Sequence, residues 1–379
     1  MRDLFLLRDD VVFLNHGAYG ACPRPVLEEY QRWQLELERQ PVEFIARRFR
    51  GLMRSAREVL GGYVGADADD LVFVTNATTA VNIVARSLPL GPGDEVLLTD
   101  HEYGAVDRTW RFVCADRGAT LVRAAIPVPV TSAAEVVERV WSAVTRRTRV
   151  LCISHITSPT ALILPIEELV SRARAADIIT LVDGAHAPGQ IPLDLRTLGV
   201  DYYAANCNKW LCAPKGSGFL YARRARQADL RPHLVSWGEE WIDGVTPSAF
   251  INEFEYQGTR DPAPFLAVPA AIAFQRAHDW ETVWDACHAL VRRAREAVTA
   301  ITGLPPLSPD DRRWFLQMVS VPLPVEDPRA AQRRLLEECG IEVVATRWQD
   351  RSLLRVSVQA YNTPSEIDRL AAAVETVLR

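Results

Sequence analysis

The chain has 379 residues, 48% of them hydrophobic and 24% charged, which predicts a soluble globular protein with a core large enough for two domains. Its net charge of −5 argues against the basic surface that nucleic-acid binding and attachment to anionic membranes require. The longest apolar stretches are strand-sized, and the first ten residues lack the apolar region of a signal peptide, so we expect a cytoplasmic protein without a membrane span.

Short β-rich runs alternate with amphipathic helical patterns between residues 68 and 222. The predicted strands are 71–74, 95–99, 120–126, 150–155, 178–183, 201–206 and 218–221, and the predicted helices are 79–88, 105–116, 133–144 and 166–176. Such alternation is typical of a mostly parallel sheet covered by helices on both faces. We therefore predict an α/β fold whose ligands gather at the C-terminal ends of the strands.

The pattern changes after Gly258. A long helix over 267–300 is followed by a strand, a helix, two strands and a helix that reaches residue 379. This order predicts a smaller α+β C-terminal domain. We expect a large domain over 15–260 and a small domain built from 1–14 and 261–379.

Two polar features follow the first two predicted strands. The turn 75–79 joins a strand to a helix, where free N–H groups and the helix dipole favour an anion such as phosphate. An ordinary helix N-cap is the alternative. His101 follows the next strand and is a candidate for a ring that stacks on a flat cofactor, although a histidine in a surface loop is also consistent with the pattern.

Lys209 is one of only two lysines among 43 basic residues, the other being Lys215. Arginine replaces lysine as a solvated charge but cannot act as a neutral amine, so a remaining lysine is a candidate for amine chemistry, unless it remains by chance. Asp183 ends the predicted strand before that of Lys209, and the small pair Gly184 and Ala185 after it would let a flat ring approach. A helix N-cap is the alternative role of Asp183.

Arg355 stands in the middle of the apolar run 353–358. A buried guanidinium without a partner is costly, and a bound carboxylate would satisfy it through two hydrogen bonds. An internal ion pair is the alternative. An amine, a carboxylate for a pyridine nitrogen, an anion site, a stacking ring and a cation are the groups that pyridoxal 5'-phosphate (PLP) requires, so the sequence predicts a PLP enzyme.

Seven cysteines occur in the chain, and none forms a CxxC pair. This pattern is typical of neither a disulfide framework nor a zinc site. We expect buried thiols and no metal.

Several motifs occur together in an order that resembles the class V aminotransferase family, within the fold-type-I PLP-dependent enzymes, and its isopenicillin N epimerase-like group. They are the stretches 13–17, 100–105, 182–189, 209–216, 258–261 and 355–362. The resemblance covers almost the whole chain. It implies a homodimer whose active sites are built from both subunits.

The same resemblance implies roles for individual residues. Lys209 is the catalytic Schiff-base lysine, Asp183 pairs with the pyridine nitrogen and His101 stacks on the ring. The other implied cofactor residues are Ser158 and His186 near the ring hydroxyl, Ala77, Thr78 and Asn206 at the phosphate, and Thr259 from the partner subunit. The implied substrate residues are Asn15, His16, Tyr103 and Arg355, the last for the carboxylate. Asn208 replaces the family's usual histidine; it can donate to phosphate but cannot titrate.

The family supports several reactions at the α-carbon of an amino acid. Epimerisation needs a second acid–base group, for which only Tyr103, His16 or His155 are candidates, whereas β-elimination needs one base and a sulfur leaving group. We therefore predict a C–S lyase acting on a cysteine S-conjugate in natural-product metabolism. An amino-acid or peptide epimerase is the main alternative. A decarboxylative or oxidative deaminase, an aminotransferase and a non-catalytic PLP-binding regulator are further ones.

Overall fold

The computed structural model of the protein describes residues 1–239 and 248–379. Residues 240–247, within the predicted large domain, lie outside the described residues. The strands of the described part are β1 (Val12–Phe13), β2 (Leu71–Val74), β3 (Glu95–Thr99), β4 (Thr120–Ala124), β5 (Thr148–Ser154), β6 (Ile179–Asp183), β7 (Tyr202–Asn206), β8 (Gly218–Ala222), β9 (Met318–Leu323), β10 (Ile341–Glu342), β11 (Val344–Trp348) and β12 (Arg351–Ser357).

α-Helices cover both faces of the main sheet and build much of the C-terminal region. They are α1 (His16–Tyr19), α2 (Arg24–Arg39), α3 (Phe49–Val64), α4 (Ala77–Ser87), α5 (Gly104–Arg117), α6 (Ala133–Trp141), α7 (Ile166–Ala175), α8 (Leu195–Leu198), α9 (Ala249–Glu255), α10 (Ala263–Leu266), α11 (Val268–Ala277), α12 (Trp280–Thr302), α13 (Pro328–Glu337) and α14 (Pro364–Leu378). Within the described residues, no helix is both long enough and apolar enough to cross a membrane.

Among the described residues, seven strands form the central sheet in the order β2-β8-β7-β6-β5-β3-β4. β8 runs antiparallel to both of its neighbours, and the other pairs are parallel. Alternate residues belong to different cores: Leu71 and Phe73 face one, and Val72 and Val74 face the other. Both faces are therefore buried, which explains why these strands are continuous apolar runs. The predicted α/β fold with a mostly parallel sheet is confirmed.

The C-terminal region contains an antiparallel sheet in the order β11-β12-β9, beside which α12 and α14 pack on each other. The N-terminal segment joins this region: β1 pairs with β10, and the Ser357 N–H donates to the Leu14 carbonyl at 2.9 Å. The two ends of the chain therefore fold together. The predicted domain limits remain a prediction.

The helix predicted over 267–300 is in fact two helices, α11 and α12. The break lies at His278 and Asp279, where Asp279 adopts a left-handed φ of 46°. Local hydrogen bonds hold it: His278 Nδ1 lies 2.7 Å from the Phe274 carbonyl, and the Thr282 hydroxyl donates to Asp279 at 2.6 Å. The break contains neither proline nor glycine, and its signal in the sequence is limited to Asp279, a residue type preferred at helix N-termini.

Candidate active site

Two adjoining cavities lie at the C-terminal edge of the central sheet. The inner cavity has a volume of about 300 Å³ and the outer cavity about 550 Å³. β5, β6 and β7 end at Ser154, Asp183 and Asn206, and all three residues line the inner cavity. Lys209 lines both cavities. Because parallel sheets bind ligands beyond the C-terminal ends of their strands, these two cavities form the candidate active site.

The amine of Lys209 lies 3.2 Å from His186 Nε2. Trp210 donates its indole N–H to His186 Nδ1 at 3.1 Å, and burial lowers the pKa of His186 well below its usual value. Since an indole nitrogen only donates, the hydrogen of this neutral imidazole must lie on Nε2 and point at Lys209. Burial, helped by the Arg355 charge and opposed by Asp183, lowers the pKa of Lys209 to about 8. The neutral amine is therefore accessible near physiological pH.

Asp183 is a buried carboxylate at the end of β6. One oxygen accepts the Ala185 N–H at 2.9 Å, and the other has no donor among the described residues. Burial raises the pKa of Asp183, while the Ala185 N–H and Lys209 oppose that rise. A buried carboxylate with one oxygen still without a donor is suited to an N–H cation such as a protonated pyridine nitrogen.

Gly184 was predicted to let a flat ligand approach, but the space beside it is filled by the ring of Tyr203. A Cβ at Gly184 would lie 2.0 Å from Tyr203 Cε1, so the Tyr203 ring already occupies that side of the backbone. Ala185, the other member of the small pair, does line the inner cavity. Of the two small residues, Ala185 is therefore the one that a flat ligand in the inner cavity could contact.

The start of α4 forms the anion-binding part of the inner cavity. Asn206 accepts the Ala77 N–H at 2.9 Å, and Asn76 caps the helix by accepting an N–H of the first turn at 2.9 Å. The Thr78 N–H between them has no acceptor among the described residues. The turn is therefore a capped helix N-terminus that still presents a free donor, and the residues fit a phosphate group.

Arg355 lies buried in the wall of the outer cavity. Its Nη1 donates to the Ser158 carbonyl at 2.8 Å and to the Ser158 hydroxyl at 3.0 Å, whereas its Nε has no partner among the described residues. No carboxylate of the described residues forms an ion pair with it, so the alternative of an internal ion pair is not observed. Burial lowers the pKa of Arg355 to about 10. The guanidinium fits a carboxylate from outside the chain.

Tyr103 and Ser158 line both cavities, as the roles predicted for them require. Asn208 lines the inner cavity, but it donates its side-chain N–H to the Tyr19 carbonyl at 3.0 Å. The side-chain NH₂ group of Asn208 is therefore already engaged in one hydrogen bond within the protein. Thr259 is exposed and lines neither cavity of its own subunit, so its predicted contribution to a partner's site remains a prediction.

The structure corrects the position expected for His101. Its Nδ1 lies 2.7 Å from the Thr160 hydroxyl, its Nε2 lies 2.8 Å from the Ile126 carbonyl, and its ring packs 4.4 Å from that of Trp348. These contacts bury His101 completely and use both ring nitrogens. Tyr103 lines the inner cavity in its place.

Asn15 and His16 also differ from their predicted position at the substrate. Asn15 donates to the Glu342 carboxylate at 3.1 Å. His16 Nε2 lies 3.0 Å from the Lys209 carbonyl, and its Nδ1 lies 2.9 Å from the Tyr361 hydroxyl. Both residues are buried outside the lining of the two cavities. His16 holds the backbone of the loop that carries Lys209 (the lysine loop), which is a positioning role, whereas Asn15 ties the N-terminal segment to β10.

Sequence reasoning missed two polar residues of the site. Ser154 ends β5, so the same strand-end rule that selected Asp183 could have found it. Glu102 lines the outer cavity and accepts hydrogen bonds from Ser154 Oγ at 2.5 Å and from Thr99 Oγ1 at 2.7 Å. Burial raises the pKa of Glu102 to about 7, and the Asp183 charge adds to that rise. No sequence pattern distinguishes this residue from an exposed loop carboxylate.

Known proteins resemble this chain over almost its whole length. The isopenicillin N epimerase of Amycolatopsis lactamdurans is 39% identical, over 99% of this chain and 97% of its own. A putative L-cysteine desulfhydrase of Oryza sativa subsp. japonica is 28% identical, over 97% and 83%. The crystal structure of the Escherichia coli cysteine desulfurase CsdA shares the fold, with a TM-score of 0.80 at 24% identity over 100% and 97%.

The family model described as aminotransferase class-V matches residues 12–370. The match and the 39% identical relative confirm the predicted family and, with it, the PLP cofactor. The chain belongs to the class V aminotransferase family of PLP-dependent enzymes.

Proposed function

We propose that the protein is a C–S lyase that cleaves the Cβ–S bond of a cysteine S-conjugate in natural-product metabolism. One observation carries the proposal: Lys209 and Arg355 line the same outer cavity. The first supplies a neutral amine, and the second supplies a cation that has no carboxylate partner among the described residues. β-Elimination requires one base and a good leaving group. This arrangement provides that base and a means to hold the substrate in front of it.

The inner cavity would hold PLP. Lys209 would bind it covalently through Nζ, Asp183 would pair with its ring nitrogen, and the start of α4 with Asn206 would take its phosphate. Tyr103, which lines both cavities, would stack on its ring. Bound PLP supplies an electron-withdrawing ring that stabilises negative charge at the substrate Cα.

Arg355 would orient the substrate by its α-carboxylate. Ser158 holds Nη1 of the guanidinium, which leaves Nε and Nη2 for a two-point contact with the carboxylate. Since the guanidinium is buried, such a contact excludes water and fixes the distance between carboxylate and amine. The Cα–H bond would then face the lysine amine.

Lys209 would remove the Cα proton of the bound substrate as a neutral amine. His186 keeps its Nε2–H directed at the lysine because Trp210 occupies Nδ1. The electron pair left at Cα expels the sulfur, so the Cβ–S bond breaks and the thiolate takes up a proton. Hydration of the remaining fragment gives pyruvate and ammonium, which balances the reaction with one water.

An epimerase is the second candidate, and two observations favour it. The relative at 39% identity is named as an isopenicillin N epimerase. Tyr103 and Glu102 line the outer cavity together with Lys209, so either could act as the second acid–base group. His16 and His155, the other candidates from the sequence, both lie outside the lining of the inner and outer cavities.

One incubation separates the two candidates. The holoenzyme is mixed in D₂O with a panel of L-cysteine S-conjugates and L-amino acids, and products are followed by chiral chromatography and mass spectrometry. The lyase proposal requires thiol and pyruvate from the S-conjugates, lost in Lys209→Ala. Deuterated D-amino acid without thiol or pyruvate would refute the lyase and support the epimerase.

We also propose a cytoplasmic homodimer in which Thr259 reaches the partner's phosphate site. The exposure of Thr259 and its place outside its own cavities support this arrangement, as does the 74% exposure of Tyr19 at the cavity mouth. Sedimentation analysis should give a mass of two chains. A Thr259→Ala variant should keep that mass and bind PLP more weakly, and a monomeric wild type would contradict the proposal.

A further inference from the structure

A third cavity, of about 660 Å³, lies apart from the active site. Residues 131–133 at the start of α6 face residues 163–167 and the loop 309–314 across it. Its volume falls in the range of small-molecule sites. Among the described residues, its lining has no member in common with those of the inner and outer cavities, and the proposed reaction makes no use of it.

The walls of the third cavity combine polar residues with a continuous set of apolar ones. Ile163, Leu164 and Ile191 supply aliphatic surface, Trp314 supplies an aromatic face, and prolines complete the wall. Leu164 and Trp314 are buried within the protein. Such walls bind a ligand by removing its nonpolar surface from water.

His155 offers a directed polar contact beside the apolar part of the wall. The residue is 5% exposed, and its Nδ1 lies 2.8 Å from the Tyr203 hydroxyl oxygen. That hydroxyl has no other acceptor among the described residues, so it donates to Nδ1 and leaves the ring hydrogen on Nε2. The Nε2–H has no acceptor among the described residues, and His155 lines the third cavity. A ligand that brings an acceptor would satisfy it.

The charges around the third cavity disfavour anions. Arg313 is neutralised by Asp311, with Nη2 and Oδ2 2.6 Å apart. The exposed carboxylate of Glu167 then leaves the lining negative. His155 adds no positive charge, because burial lowers its pKa to about 3. The hydroxyl of Ser132 is used as the cap of α6, where it accepts the Glu135 N–H at 3.2 Å.

We propose that the third cavity is a binding site for an uncharged, ring-sized apolar molecule that carries a carbonyl or similar acceptor, which takes the hydrogen bond of His155 Nε2–H. The ring packs against the aliphatic wall and Trp314. This site goes beyond the proposed reaction and does not depend on it.

The test uses 4-fluorobenzamide as the probe and ¹⁹F NMR of the holoenzyme as the readout. A fragment of this size should bind with a Kd of about 1–10 mM. Ala133→Trp, at an exposed residue of the lining, should block the cavity and weaken binding at least about tenfold. Ala300→Trp, at an exposed position of α12 away from the cavity, is the matched control and should bind the probe normally.

A second pair of measurements tests the hydrogen bond. 4-Fluorotoluene lacks the acceptor and should bind at least about fivefold more weakly than the benzamide. His155→Phe, which keeps the ring but removes Nε2–H, should abolish that difference between the two probes even if it changes the thermal stability of the protein.

Four outcomes would overturn the proposal: no binding of 4-fluorobenzamide to the wild type, undiminished binding to Ala133→Trp, displacement of the probe by a cysteine S-conjugate, or equal affinity of the two probes for the wild type. Displacement would place the probe in the active site. Because none of the four readouts depends on catalysis, failure of the lyase proposal would leave this test intact.

Discussion

Arg355→Met should make the protein more stable and the enzyme far less active. A tenfold change in an acid constant corresponds to about 1.4 kcal/mol. Burial lowers the pKa of Arg355 from 12.5 to about 10, so holding this guanidinium charged in the fold costs on the order of 3 kcal/mol. Methionine fills a similar volume without that charge. We therefore expect the free energy of unfolding of the cofactor-free protein to rise by up to about 3 kcal/mol.

The same substitution removes the predicted contact with the substrate carboxylate. A buried, charge-assisted pair of this kind is worth about 2–5 kcal/mol, which corresponds to roughly 30- to 4000-fold in kcat/KM. Its position near Lys209 adds a second readout: without the Arg355 charge, the pKa of Lys209 should rise.

Denaturant unfolding and kinetics with two substrates check this reasoning. One substrate is an L-cysteine S-conjugate and the other is the matching cysteamine conjugate, which lacks the carboxylate. The wild type should prefer the first strongly, and Arg355→Met should show almost no preference. Loss of stability in the variant, or a preference that survives the substitution, would refute the assignment.

The remaining predictions concern the lysine and the backbone beside it. Borohydride should fix PLP to the wild type and to Lys215→Ala but not to Lys209→Ala, as measured by mass spectrometry, and a cofactor fixed in the Lys209 variant would disprove the anchor. Because the pKa of Lys209 is lowered to about 8, PLP uptake by the cofactor-free protein should speed up as the pH rises through 8 and level off above it, measured by stopped-flow absorbance; a rate independent of pH from 6 to 9 would contradict this. Gly184→Ala should cost about 1–3 kcal/mol of stability or more, because its Cβ would lie 2.0 Å from Tyr203, whereas Gly51→Ala, with open space around it, should be neutral or stabilising in urea unfolding.

The central sheet and the two polar residues at its C-terminal edge, Asp183 and Asn206, were predictable from the sequence for one physical reason. Strands that are buried on both faces become continuous apolar runs, and a polar residue directly after such a run lies at the edge where ligands bind. Asp183 and Asn206 follow this rule. Lys209 stands out because arginine has replaced almost every other lysine.

Other features depended on contacts that a pattern does not encode. His101 and Tyr103 are two residues apart in one loop. The hydrogen bonds of His101 to Thr160 and Ile126 and its packing on Trp348 decide which of the two reaches the cavity. The contact of Arg355 with Ser158 could not be predicted, because the sequence does not show which polar groups come near the guanidinium. The break at Asp279 is held by side-chain hydrogen bonds, and neither proline nor glycine stands at the break itself.

The pairing of the two chain ends sets the order in which the active site can be completed during synthesis. His16 joins the Lys209 carbonyl to the Tyr361 hydroxyl, and β1 needs β10 as its partner. Residues 12–16 are synthesised long before residues 341–361, and they cannot brace the lysine loop with those partners until the later residues have been made. A product that stops short of Tyr361 would contain every strand of the central sheet but leave the lysine loop without one of its supports.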